Sequence, residues 1–217
     1  MKKIGLLFDC DGTLVDSLGL AKESFEYALN FVGEKRSYEE VKSFFGAGAD
    51  RIFMNLLQDK KKSQIAFDAF LNHQQSLAWK TRLHNGIRDL LVNLAYSNIT
   101  MGIVTGRHSL DLNIILEPHK IKKYFDVVIA DSDVLHSKPA PDGLLLAIKK
   151  MSLKPEDVFY IGDSVTDMQA AQRAGCKAIA AVWDSATSSK IMLEVKPNYI
   201  ANTPFEVLDY VKKHLMI

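Results

Sequence analysis

The chain has 217 residues, 47% hydrophobic and 24% charged, with a formal net charge of +1 and two cysteines, which is enough for one good core plus a small accessory domain. The near-neutral charge argues against a polyanion-binding surface, and Cys10 and Cys176 give neither a disulfide framework nor a metal-type spacing. No apolar run approaches the roughly 18–20 residues of a membrane span, and the N-terminus enters a strand without a signal-peptide pattern, so a cytoplasmic protein is expected, without nucleic-acid or membrane partners.

The first element is the apolar run Lys3 to Leu7, read as a buried parallel strand. It leads into Phe8-Asp9-Cys10-Asp11-Gly12-Thr13-Leu14-Val15-Asp16. Two acids two residues apart at a strand end repel each other and lose solvation, and a divalent cation removes both problems. The alternative is a plain Asp-Gly turn. Cys10 is read as a small buried filler rather than a nucleophile, because no histidine lies nearby in sequence to activate it.

Helical spacing follows. Ser17 is an N-cap candidate, and Leu18, Ala21, Phe25, Ala28, Leu29 and Val32 recur on one face until Gly33 stops the run. Ser37-Tyr38-Glu39-Glu40 is a capping box for a short helix ending near Gly46. Two more helices are expected over 50–58 and from Ser63 to about Lys80; Lys60-Lys61-Lys62 reads as a solvated helix end. Residues 17–83 contain no convincing strand. They are expected to form a helical cap inserted after strand one, the α/β core being 1–16 and 84–217.

After the linker Leu83-His84-Asn85-Gly86, with Asn85 as a cap for the next helix, strands and helices alternate. Strands are expected at 99–104, 127–130, 158–161, 178–182 and, at the edge, 199–201. Helices are expected at 87–97, 109–119, from Asp142 to about Met151, 167–174, 188–195 and from Thr203-Pro204-Phe205-Glu206 onward. This alternation argues for an α/β protein with a Rossmann-like parallel sheet covered on both faces.

Just beyond four strand ends lie Asp9/Asp11, Thr105-Gly106, Lys138-Pro139 and Gly162-Asp163-Ser164-Val165-Thr166-Asp167. In an open parallel sheet these positions share one crevice. Asp9, Asp163 and the backbone carbonyl of Asp11 offer oxygen ligands of the kind Mg²⁺ prefers. Thr105, Gly106 and Lys138 offer a phosphate clamp of hydroxyl, backbone N–H groups and ammonium. Asp167 holds metal waters or orients Lys138, or else is a helix N-terminal acid favoured by the macrodipole. Alone, each is an ordinary turn or loop residue; their order and placement carry the signal.

These stretches resemble the four motifs of the haloacid dehalogenase superfamily, and the plan is similar to its branch of phosphoglycolate phosphatases and β-phosphoglucomutases with a helical cap. The resemblance implies Asp9 as nucleophile forming an aspartyl-phosphate, Asp11 as general acid then base, Thr105 and Lys138 as stabilisers of the transferring oxygens, and Mg²⁺ held by Asp9, Asp11 and Asp163. Dehalogenating members lack an acid at the Asp11 position, so phosphate chemistry is implied: a phosphatase acting on a small phosphorylated metabolite such as phosphoglycolate. The alternatives are a phosphosugar mutase, a pyrophosphatase, or a non-catalytic phospholigand-binding module. Arg107 departs from the commonest pattern and is assigned either to substrate or to the surface. The cap is expected to close over the cleft, with Gly46 to Arg51 as its specificity loop and Arg51 meeting an anionic substrate or lying in solvent. Nothing in the surface pattern calls for more than a monomer or weak homodimer.

Overall fold

A computed structural model describes residues 3–97 and 99–215. In chain order the elements are β1 (Gly5–Phe8), β2 (Val15–Asp16), α1 (Leu18–Phe31), α2 (Tyr38–Lys42), α3 (Ala49–Leu57), α4 (Lys60–Leu77), β3 (Arg82–Leu83), α5 (Ile87–Tyr96), β4 (Thr100–Val104) and α6 (Ser109–Leu116). They continue with β5 (Val127–Ile129), α7 (Asp142–Met151), β6 (Val158–Gly162), α8 (Val165–Ala174), β7 (Lys177–Ala181), α9 (Ser189–Glu194), β8 (Tyr199–Ala201) and α10 (Pro204–Leu215).

Six strands form one sheet in the order β5-β4-β1-β6-β7-β8, every neighbouring pair parallel. The β1 residues are all buried, because helices cover both faces and leave no polar side for an alternating pattern. One apolar layer runs from Leu6, Phe8 and Ile103 to α5, α6 and α10; the other runs from Leu7, Val104 and Tyr160 to α7 and α8. Since β4 lies on one side of β1 and β6 on the other, the loops after these strands diverge to opposite faces and leave a crevice above β1.

Helices α1, α3 and α4 share a separate apolar cluster. At its centre the rings of Phe25, Phe53 and Phe70 pack with centroids 4.7–5.9 Å apart. Trimming the fully buried Phe53 to alanine would cost roughly 3–5 kcal/mol. The two chain crossings between this helical block and the sheet pair with each other, as β2 and β3 run antiparallel with Val15 opposite Leu83 and Asp16 opposite Arg82. Sequence reading found no strand here, because two-residue strands are too short to show a period.

Several local expectations shift. Ser17 holds the N-cap position of α1, but its side chain makes no cap bond; its hydroxyl bonds the Asp11 carboxylate and the Val15 carbonyl. Helix α2 stops at Lys42, short of Gly46. Helix α4 begins earlier than expected, since Asp59 accepts from the Lys62 N–H at 2.8 Å and places the three lysines in its first turn. Asn85 is not the cap of α5: Gly86 holds that position in left-handed backbone, φ 87°. Glu206 answers the Asn202 N–H at 3.0 Å rather than Thr203, so only half of the expected capping box forms. Among the described residues no helix is long and apolar enough to cross a membrane.

Candidate active site

Asp9 is the first residue past β1, and its N–H donates to the Ile161 carbonyl at 2.8 Å, which extends the β1–β6 ladder by one bond. The chain then turns: Leu14 and Val15 N–H both reach the Cys10 carbonyl at 2.9 Å. Gly12 makes the turn possible twice over. Its φ is +68°, and a Cβ there would lie 2.2 Å from Asp163 Oδ2. The Asp163 carboxylate therefore rests against bare backbone, held by Thr13 Oγ1 at 2.9 Å. Cys10 is fully buried and its thiol is pushed well up, first by burial and then by Asp11, so it is the inert filler expected.

Lys138 ties the site together. Its Nζ lies 3.0 Å from Asp9 Oδ1, 2.6 Å from Asp167 Oδ1 and 3.1 Å from the Tyr160 hydroxyl. Burial works against its charge, but Asp167 and Asp9 more than offset that and hold the ammonium well above its ordinary value. Asp167 is both the acid of a helix N-terminus and the group that orients Lys138. As third residue of α8 it completes a capping box with Ser164, accepting from the Ser164 N–H at 3.0 Å, while its other oxygen orients Lys138. Helix α8 accordingly starts at Val165, two residues before the expected position.

Burial pushes the Asp9 carboxyl up to about 7 against the opposing pull of Lys138, with Asp167 and Asp11 adding to the rise. Asp163 is also raised well above the carboxylate range, by burial and then by Asp167 and Asp9. Asp9, Asp163 and Asp167 each bring a carboxylate oxygen within 4.8 Å of the others. Asp167 spends its oxygens on Lys138, Tyr160 and Ser164. Asp9 Oδ2 accepts no hydrogen bond among the described residues, and Asp163 has only Thr13 and, at 3.5 Å, Thr187. A cluster short of positive charge, with oxygen acceptors to spare, fits a hard divalent cation.

Asp11 is anchored differently. Arg107 grips it with Nε at 3.0 and 2.8 Å from its two oxygens and Nη2 at 2.6 Å, while Arg107 Nη1 lies 2.6 Å from Asp111. Arg107 is only 6% exposed. The surface role weighed for it is therefore wrong: its charge is buried because two carboxylates compensate it. Although burial alone would raise Asp11, Arg107 holds it below the usual carboxylate value. Asp111, more deeply enclosed, is pushed up to about 6 by burial despite Arg107. Sequence reading missed Asp111, whose only signal is its place four residues after Arg107, and Tyr160, which looked like one more apolar strand residue.

These groups open onto one cavity of about 510 Å³ between the sheet and the helical block. Asp9, Asp11, Gly106, Arg107, Lys138 and Asp163 line its sheet side. Thr105 sits just behind this wall: it is buried at the end of β4, and its hydroxyl accepts from the Arg107 N–H at 3.2 Å. Gly46 reaches the cavity as expected, with φ +111° and so little room that a Cβ would lie 2.7 Å from the Lys138 carbonyl. Arg51 does not line the cavity and is only partly exposed. Its guanidinium bonds the carbonyls of Leu135 (2.9 Å) and Val134 (2.5 Å) and the Ser137 hydroxyl, and Nε lies 3.2 Å from Asp131. The loop before Lys138 simply offers it more acceptors than the cavity does.

The comparisons agree with this geometry. The sequence model of the family described as haloacid dehalogenase-like hydrolase matches residues 6–181. A phosphoglycolate phosphatase of Escherichia coli K12 is 33% identical over 204 residues, covering 81% of this chain and 79% of its own. The pyrophosphatase PpaX of Oceanobacillus iheyensis is 29% identical over 213 residues, 95% of each chain. Among solved structures, a hydrolase from Pseudomonas syringae superposes with a TM-score of 0.85 at 20% identity, covering 97% of this chain and 99% of the other. A haloacid dehalogenase-like family hydrolase from Streptococcus pneumoniae gives 0.77 at 26% identity, covering 96% and 98%. With its strand-end carboxylates, buried lysine and parallel sheet, this chain belongs to the haloacid dehalogenase-like hydrolase family.

Proposed function

We propose that this hydrolase cleaves the phosphate monoester of a small metabolite, with Asp9 as nucleophile and Mg²⁺ as the required cation. The observation that carries the reading is the position of Asp9: past the end of β1, beside the Lys138 ammonium at 3.0 Å, on the wall of a cavity large enough for an organic ester. In the first half-reaction an Asp9 oxygen bonds to phosphorus, the bond to the leaving oxygen breaks, and Asp11 gives that oxygen a proton. In the second, Asp11 takes a proton from water, the water oxygen bonds to phosphorus, and Asp9 is released. Paired with Arg107, Asp11 rests as the carboxylate, the form the second half-reaction needs. An incoming phosphate dianion opposes Arg107 electrostatically and raises the proton affinity of Asp11 for the first. Lys138 and the backbone of the Thr105-Gly106 turn face the charge gathering on the transferring oxygens. Asp9, Asp163 and the Asp11 carbonyl would hold the cation, which when bound offsets the repulsion between Asp9 and phosphate.

The test is phosphate release from a panel of metabolite esters with Mg²⁺ and with chelator, for the wild type and for Asp9→Asn. The expected result is cation-dependent turnover that Asp9→Asn abolishes without changing the circular dichroism. A silent wild type, or turnover retained in the variant, would overturn the reading. The likeness to a pyrophosphatase over nearly the whole chain supports a second reading, with inorganic pyrophosphate as substrate. Including pyrophosphate in the same panel separates the two.

A further inference from the structure

The helical side of the cavity carries information that the catalytic motifs do not. Opposite the carboxylates, its wall is made by Leu18, Phe25, Tyr38, Phe45, Ile52 and Phe70. The rings meet in one tilted and one edge-on pair: Phe45 lies 6.2 Å from Phe25 and 6.0 Å from Tyr38, at 36° and 82°. Helix α9 closes the mouth with Ile191, half exposed, and Met192. Of the cations along the wall, Lys138 and Arg107 are committed to the carboxylates already described, which among the described residues leaves Lys42, exposed at the rim. Arg51, the cation that the loop sequence offered, is bound to the Asp131–Ser137 segment instead.

We propose that the alcohol portion of the substrate is a bulky, mainly apolar group bearing an aromatic ring, so that the enzyme takes arylalkyl or ring-bearing phosphate monoesters in preference to phosphoglycolate or inorganic pyrophosphate. The inference rests on the phosphomonoesterase reading above. Two arguments carry it. A cavity of about 510 Å³ is the size that encloses ligands far larger than glycolate or phosphate, and a small ion would leave the far wall in contact with trapped water. A second negative charge on the leaving group would also be buried against aromatic carbon with one rim lysine to answer it, which is unfavourable without a dedicated partner. An aromatic ring meets offset or edge-on partners and has its own apolar surface removed from water.

The experiment compares leaving alcohols of similar acidity, so that chemistry is held constant and fit is read alone. Ethyl phosphate, 2-phenylethyl phosphate and 2-(2-naphthyl)ethyl phosphate are assayed beside phosphoglycolate and pyrophosphate with Mg²⁺. The expected result is a rise in kcat/KM of about tenfold per added ring, mostly through KM. Phe45→Arg, which places a cation on the half-buried part of the wall, should lower the ratio of kcat/KM for the naphthyl ester to that for phosphoglycolate by at least about tenfold. Binding of 2-(2-naphthyl)ethylphosphonate and methylphosphonate to the Asp9→Asn protein, by calorimetry, reads the same preference without turnover. If phosphoglycolate or pyrophosphate is turned over with the highest kcat/KM, the hydrolase reading stands and this inference is overturned. If no ester in the series is hydrolysed by the wild type, the phosphomonoesterase reading fails and takes this inference with it.

Discussion

The two walls of the cavity follow opposite designs. On the sheet side both cations are spoken for by other buried groups: Lys138 by Asp9, Asp167 and Tyr160, and Arg107 by Asp11 and Asp111. On the helical side the wall is carbon, with hydroxyls and one lysine at its edge. A reaction centre must fix charges where they will be needed, and buried charges stay fixed only when paired. A leaving-group pocket has a different task, which shape and apolar area accomplish. The sheet side accordingly specifies a chemistry, and the helical side specifies what that chemistry is applied to.

Substitutions on the sheet side should break this division most severely. Asp9→Asn removes the bonding oxygen's charge, and phosphate release should fall by at least roughly 10³-fold while the melting temperature holds or rises, because a carboxyl that burial has pushed up to about 7 is no longer asked to ionise. Lys138→Ala should lower kcat by about 10²-fold or more and reduce stability as well, since Asp9 and Asp167 lose the cation between them. Arg107→Met sharpens the comparison further. A surface arginine would change stability by less than about 0.5 kcal/mol, whereas this one should cost roughly 3–5 kcal/mol in chemical denaturation and lower kcat through a displaced Asp11. Arg107→Lys should recover only part of both, because an ammonium cannot grip two carboxylates in that fork geometry.

Across the boundary the effects shrink. Arg51→Ala breaks a bridge that is about one-third open to solvent (31%), and should cost about 1 kcal/mol while leaving KM for small esters within about twofold. A tenfold rise in KM would mean that Arg51 reaches substrate after all. The smallest effect belongs to His84, in the linker, and His119, which bonds Thr81 just before it. Burial depresses both His84 and His119 below 6.5, although Asp184, 3.4 Å from His84, pulls the other way. Their folded-state values lie below the unfolded value, so the stability they contribute is complete above pH 6.5 and is lost as pH falls through the folded values. The drop in melting temperature between pH 7.5 and 5.5 should be smaller by about 1 °C in His84→Gln or His119→Gln than in the wild type.

The sheet was legible because a parallel strand buried on both faces must be an apolar run, and Leu6-Leu7-Phe8, Val158 to Ile161 and Ala178 to Ala181 are such runs. Residues 9, 11, 105, 138, 163 and 167 were legible because the ends of parallel strands converge whatever the loops contain. Arg107 was misjudged because a loop arginine looks the same in sequence whether solvent or two carboxylates receive it. The partners of Arg51 were not legible because they are mainly backbone carbonyls of a loop 80–86 residues away, and carbonyls leave no trace in composition. The sequence by itself determined the alternating α/β plan, the helical insertion and the order of the reactive groups, since period, turn chemistry and strand-end position are local properties. Only the tertiary structure decided which charges neutralise one another and which rings face the cavity, since both depend on distances between segments far apart in the chain.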